Sequence, residues 1–245
     1  MEYDLNTLFL AGVSFFTSTV SATLGFLGGT MLLTAMAQVL PLSALIPVHG
    51  AVQFFSNASR VYFLLKYVNK KILIAYGISS VLGVLMASRF LFQMQDGVYS
   101  LVLGCFILFV TLIPKPKKGI LFPGKWWVVG FIASWIGLFM GAVGTFVGAM
   151  FLSEPMEKKE LVATQAACQS ILHILKVIVF LYLGFQIFDW LGLIVIMLIT
   201  TVLGSFVGTK ILDKVPQKYF MVFFKSLVIL LSLKLVFDGV RALKF

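Results

Sequence analysis

His49, then Gln53, then Ser56 and Asn57, then Arg60 stand at spacings of four, three or four, and three, which sets them along one face of a helix. Gln165, Gln169, His173 and Lys176 repeat the arrangement in the second half of the chain. Amide and imidazole N–H groups donate hydrogen bonds, and the guanidinium and ammonium groups add positive charge. Both sets lie inside apolar segments, where an ionisable side chain is costly and is by default a functional candidate. The acids Glu154, Glu157, Asp189 and Asp213 stand at the ends of apolar segments, and none stands in the middle of one. Donors and cations without a carboxylate suit an anion. A cation site would want a carboxylate at depth.

Each of these residues also has a plainer reading. Gln53 and Gln169 could bond helices together. Arg60 and Lys176 lie about two helical turns from the ends of their segments, within reach of the interface by snorkelling. His49 follows Pro47 near the start of its segment and reads as interfacial rather than as a ligand. His173 is better placed for a site, and an imidazole there could titrate near neutral pH and couple to protons. Cys105 and Cys168 both read as buried structural thiols. Gly83, Gly204 and Gly208 read as helix-packing positions. Met31, Met36, Met140 and Met150 read as packing rather than as copper ligands, and no metal site is expected.

Two glycine breaks must position the polar faces. Gly25-Phe26-Leu27-Gly28-Gly29 interrupts the apolar segment from Thr7 to Leu40. Gly141-Ala142-Val143-Gly144-Thr145 interrupts the one from Trp126 to Leu152. Broken backbone is tolerated at membrane depth only where protein buries it or it lines a cavity. Two breaks in corresponding places point to a transport site between repeats. The half-helices that follow each break would direct N–H groups and positive dipole ends at an anion. The binding candidates are therefore Gly25, Gly28, Gly29, Gly141, Gly144 and Thr145 at the breaks, with Gln53, Asn57, Arg60, Gln169, His173 and Lys176 on the polar faces.

The chain has 245 residues, 60% hydrophobic and 11% charged. A soluble domain carries about 25% charged residues, so this is an integral membrane protein with no room for a catalytic or ATPase domain. The net charge of +10 comes mostly from basic residues at span ends, which is a membrane pattern and not a nucleic-acid one. Met1 to Asp4 is acidic, so Leu8 to Leu24 does not read as a cleaved signal peptide. Further spans are expected over Ser43 to Val68, Ile72 to Phe92, Val98 to Ile113, Leu161 to Leu183, Phe188 to Leu212 and Tyr219 to Val240. Trp126, Trp127 and Trp190 read as interfacial anchors.

Gly25 and Gly28 match Gly141 and Gly144 at the same offset that brings Gln53, Asn57 and Arg60 onto Gln169, His173 and Lys176. The expected fold is an all-α polytopic membrane protein of two homologous repeats, over 1–113 and 126–245, joined by a basic cytoplasmic linker at 114–125. Basic loops at Lys66 to Lys71, Lys115 to Lys125 and Lys210 to Lys218 can share one side only if the broken segments are re-entrant hairpins. Each repeat is then one hairpin plus three crossings, and the two are inverted. Arg241 and Lys244 would lie outside, against the positive-inside rule.

With its first glycine break, Pro41, the polar second span and the matching second half, the chain resembles the TauE/SafE family of sulfite exporters over roughly residues 8 to 240. It departs from the family's run of consecutive glycines at Phe26 and Leu27. The resemblance implies movement of sulfite, sulfonates or other small organosulfur anions, mostly outward. The residues and the resemblance together lead to a multi-pass plasma-membrane transporter of a small anion working by alternating access. An anion or water channel is the alternative, and an intramembrane enzyme using His173 a more distant one. H-E-x-x-H, G-x-S-x-G and Gly-Lys-Ser/Thr motifs are absent, so neither catalysis nor a cofactor is expected. The expected partners are the anion and membrane lipid, with a second copy of the chain as a further candidate and no nucleic acid.

Overall fold

The computed structural model describes residues 5–25, 27–90, 95–112, 122–141, 143–151, 154–212 and 217–243, with side chains described outside 217–225. Among the described residues it is built from helices. In chain order these are α1 (Leu5–Leu24), α2 (Gly28–Met36), α3 (Leu42–Leu64), α4 (Lys70–Ser88) and α5 (Asp96–Leu112). Then come α6 (Lys125–Met140), α7 (Gly144–Phe151), α8 (Lys158–Tyr182), α9 (Leu191–Ile211) and α10 (Gln217–Leu243). Among the described residues α1, α4, α8 and the segment Ile187–Ile211 are long and apolar enough to cross a membrane.

Polarity is distributed as in a protein dissolved in lipid. The outer face of α4 presents Ile74, Ile78, Leu82 and Leu85, and that of α9 presents Val195, Ile199, Leu203 and Phe206. Inside, hydroxyls meet one another. Ser18 on α1 donates to the Thr201 carbonyl at 2.8 Å and lies 2.8 Å from the hydroxyls of both Ser56 on α3 and Ser205 on α9. With no water in the hydrocarbon region, such groups must find partners within the protein.

Helix boundaries follow local chemistry. Pro41, extended at φ −61° and ψ 144°, leads into α3, since proline lacks the N–H that a first turn cannot use. Asn69 caps α4 by accepting from the Ile72 N–H at 3.3 Å. The two long apolar segments break as expected. The chain reverses after Leu24, and α2 folds back along α1, so that a Cβ on Gly28 would stand 2.0 Å from the Thr17 carbonyl oxygen. This is a hairpin, with α2 returning beside the helix it came from.

The main helix pairs join the two halves of the chain. α1 packs on α9, α4 on α6, α3 on α8 and α5 on α10. Glycines permit the closest approaches. A Cβ on Gly204 would lie 2.2 Å from Phe15 O, on Gly208 2.4 Å from Thr19 O, and on Gly83 2.4 Å from Phe131 O. All three are packing positions, as their sequence context implies. Gly204→Ala is therefore expected to lower the unfolding temperature in detergent, at a cost of about 2 kcal/mol. Gly12→Ala, where no atom lies within 4 Å of the added carbon, is the control and should leave it unchanged.

Segments distant in sequence meet at one end of the bundle. The Asn69 N–H donates to Thr164 Oγ1 at 2.9 Å, and Asn69 Nδ2 donates to Glu160 Oε1 at 3.0 Å. Lys158 bonds the carbonyl of Leu212, and Lys125 pairs with Glu154. The starts of α4, α6 and α8 and the end of α9 are thus gathered on one face. The basic linker lies largely outside the described residues. Two expectations change here. Cys105 is exposed on α5, while Cys168 is buried. Trp126 turns inward against Phe151, with ring centroids 4.2 Å apart, and Trp127 points outward. The Met residues do pack: Met31 and Met36 are core, and Met140 and Met150 lie against it.

Candidate functional site

The backbone makes the site possible at two places. Gly25 (φ 86°) and Gly141 (φ 73°) occupy conformations that side chains rarely adopt, and each ends a long helix just before a half-helix begins. Leu27 shares this strain at φ 82°, which costs a non-glycine residue roughly 1–3 kcal/mol. It is one of the two positions where a leucine or phenylalanine interrupts the glycine run. The first N–H groups of α2 and α7 have no partner within their own helices, as at any helix start.

Against these tips lie the polar faces of α3 and α8, paired across the middle of the bundle. First along α3, His49 Nε2 bonds the Gly29 carbonyl at 2.9 Å, and at the matching position of α8 Gln165 Nε2 donates to the Gly144 carbonyl at 3.2 Å. Next along each helix are Gln53 and Gln169. Asn57 Nδ2 donates to the Gln53 carbonyl at 2.6 Å and approaches Gln53 Oε1 at 3.4 Å. Gln169 Nε2 has no partner. Neither contact joins two helices, so the simple reading of these amides as helix glue finds no bond to support it. The rings of His49 and His173 stand edge to face, 5.7 Å between centroids.

The cations come last along each helix. Arg60 donates to Ser21 O at 3.0 Å, to Ser56 O at 3.3 Å and to Asn57 Oδ1. Lys176 Nζ donates to Gly141 O at 2.8 Å and faces His173 Nδ1 at 3.4 Å. Arg60 is 2% exposed and Lys176 0%, so both turn inward rather than snorkel. Their partners are carbonyls and neutral side chains. The ion pairs seen among the described residues are Lys125 with Glu154 and Lys234 with Asp238. The two buried cations therefore have no carboxylate beside them, a costly state unless an anion or dense hydrogen bonding offsets it.

These groups, apart from Lys176, which lies behind His173 and is not on the wall, surround a narrow cavity with about 20 Å³ of free space, room for roughly one water. Of the residues expected at a site, Gly25, Gly29, Gln53, Asn57, Arg60, Gly144, Gln169 and His173 line it. Gly28 is turned away against α1. Gly141 lies one layer behind, holding Lys176 and facing Leu33 and Ile46 of the other half. Thr145 is buried beside Gly144 with its hydroxyl unpartnered.

A family model described as "Sulfite exporter TauE/SafE" matches residues 10–235. The chain belongs to the TauE/SafE family. It is accordingly a membrane transport protein. Searches of curated proteins and of solved structures returned no match. Several lining residues of this TauE/SafE protein stand outside the binding candidates taken from the sequence: Ser21 and His49, with Leu27 and Val143 of the breaks and Gln165 of the polar face. His49 is the plainest correction. It is fully buried because the tip of the first hairpin descends beside it, and its Nε2 takes the Gly29 carbonyl. The available signal was the repeat itself, which pairs His49 with the polar Gln165. Ser21 offers only its backbone carbonyl to Arg60, and no side-chain pattern reveals that.

Proposed function

We propose that this TauE/SafE protein is a secondary transporter of a small anion such as sulfite, a sulfonate or a related organosulfur compound. It would work by alternating access at the plasma membrane, around a site between two inverted repeats. The observation that carries this reading is Arg60 and Lys176, buried on facing helices with no carboxylate partner among the described residues. Amide and imidazole donors and two half-helix starts complete a surround suited to an oxyanion.

A two-fold repeat is supported by the pairing of helices. Exchanging the halves turns the α1–α9 pair into the α6–α4 pair and leaves α3–α8 and α5–α10 unchanged. The same end of the bundle gathers the starts of α4 and α6 and the end of α9, where the basic loops attach. That agrees with re-entrant hairpins and a common cytoplasmic side.

A site with about 20 Å³ of free space favours an occluded carrier over an open channel. Protein reconstituted into liposomes is expected to release trapped radiolabelled sulfite with saturable kinetics and to be accelerated by unlabelled anion on the far side. Flux equal to empty liposomes would remove the proposal, and non-saturating flux would replace the carrier by a channel.

A further inference from the structure

The cavity carries hydrogen-bond acceptors that a simple oxyanion cannot use. Gln165 Nε2 donates to the Gly144 carbonyl at 3.2 Å, and this fixes the amide, because the flipped amide would set two oxygens against each other. Its Oε1 is then turned from Gly144 and has no partner. It lies on the side of Gly25, where a Cβ would be only 3.4 Å away. His49 repeats the arrangement at the matching position of α3. Its Nε2 gives its proton to the Gly29 carbonyl at 2.9 Å, and its Nδ1 has no partner. Gln165 is 1% exposed and His49 0%, and both line the cavity.

Each half therefore spends one donor on holding its hairpin tip and leaves one buried acceptor at the cavity. Unsatisfied buried acceptors are costly, and a ligand that supplies their donors gains what a ligand without them forfeits. Sulfite, sulfate and unsubstituted sulfonates, when fully deprotonated, carry acceptors only. They would match Arg60 and the amide donors while leaving Gln165 Oε1 and His49 Nδ1 bare.

We propose that the transported anion bears a hydrogen-bond donor that Gln165 Oε1 accepts while its oxyanion faces Arg60. A protonated acid oxygen, as in a hydrogen-oxyanion, or an amino or hydroxy group on a sulfonate meets the requirement equally. This rests on the anion-transport reading above and narrows its substrate class.

Sulfamate and methanesulfonate test it directly, since they match in charge and closely in size and differ in an NH2 against a CH3. By calorimetry on the purified full-length protein at neutral pH, sulfamate is expected to bind tighter by about tenfold or more. Gln165→Met removes the acceptor and should bring the ratio close to one. His49→Gln restores one donor and one acceptor and should keep a preference. A tryptophan-fluorescence melt checks that each variant is folded. A second pair, 2-hydroxyethanesulfonate against propane-1-sulfonate, locates the donor. Preference there puts it on an organic tail, and preference confined to sulfamate puts it on the acid group. Equal binding of sulfamate and methanesulfonate overturns the inference and leaves anion transport standing. So does a preference that survives Gln165→Met unaltered. Failure of folded wild-type protein to bind or carry any of the four anions, or sulfite, overturns both.

Discussion

Lys176→Met is expected to abolish anion flux while leaving the protein as stable as before, or more so. The ammonium is buried to 0% exposure and bonds one carbonyl, Gly141 O, at 2.8 Å. Its stem lies in a slot left by Gly50, where an added Cβ would meet Lys176 Cδ at 3.2 Å. Methionine refills that slot with a chain of similar shape. Removing the charge orphans the Gly141 carbonyl, a loss of about 1–3 kcal/mol. It also removes the desolvation penalty of an unpaired buried ion, which is several kcal/mol. The second effect is the larger, so the unfolding temperature holds or rises. Transport responds oppositely, because one of the two buried positive charges that attract the anion is gone, and sulfite release should fall at least tenfold.

Arg60→Met separates the two cations. Arg60 holds Ser21 O, Ser56 O and Asn57 Oδ1, so its removal breaks three hydrogen bonds, orphans Asn57 Oδ1 and should cost stability as well as flux. Lys234→Met, at an exposed pair with Asp238, should change neither. Normal sulfite flux in folded Lys176→Met would remove this residue from the anion's path. Flux assays on liposomes and unfolding in detergent, run on the same preparations, read both quantities.

Much of this was legible because polar residues in an apolar chain are few and each needs a reason. The faces of α3 and α8 could be read from spacing alone, and the two breaks from glycine. What spacing does not convey is depth after folding. His49 sits early in its helix, which suggested the interface, yet the first hairpin tip packs beside it and seals it from solvent. Arg60 and Lys176 are long enough to reach an interface, and the deciding fact was the position of the Ser21 and Gly141 carbonyls, set by the two breaks and invisible in residue types. Cys105 sits in an apolar run, but a helix in lipid has an apolar outer face as well, so hydrophobicity does not say which side is buried. The glycines divide in the same way. Gly25 and Gly141 both turn the chain, whereas Gly28 and Gly144, matched in sequence, end in different surroundings.

That difference yields the sharpest contrast available in the molecule. Gly28→Ala places a Cβ 2.0 Å from the Thr17 carbonyl oxygen and 2.2 Å from Ser21 Oγ. The serine can rotate, but the carbonyl belongs to the backbone of α1 and cannot yield without opening the hairpin. Overpacking of this kind costs about 1–3 kcal/mol or more, so reduced yield and a clearly lowered unfolding temperature are expected. Gly144→Ala meets nothing within 4 Å, and in the first turn of α7 alanine is if anything the better helix former, by up to about 1 kcal/mol. The protein should fold at least as well as the wild type. Gly144 lines a cavity with only about 20 Å³ free, however, and its carbonyl positions Gln165. An added carbon competes with the substrate for that space, and sulfite release should fall about tenfold, mainly through weaker binding. One methyl group at two matched positions thus damages the fold in one half and the function in the other. If Gly144→Ala carries sulfite as the wild type does, the anion does not pass between these tips, and the buried cations need another explanation.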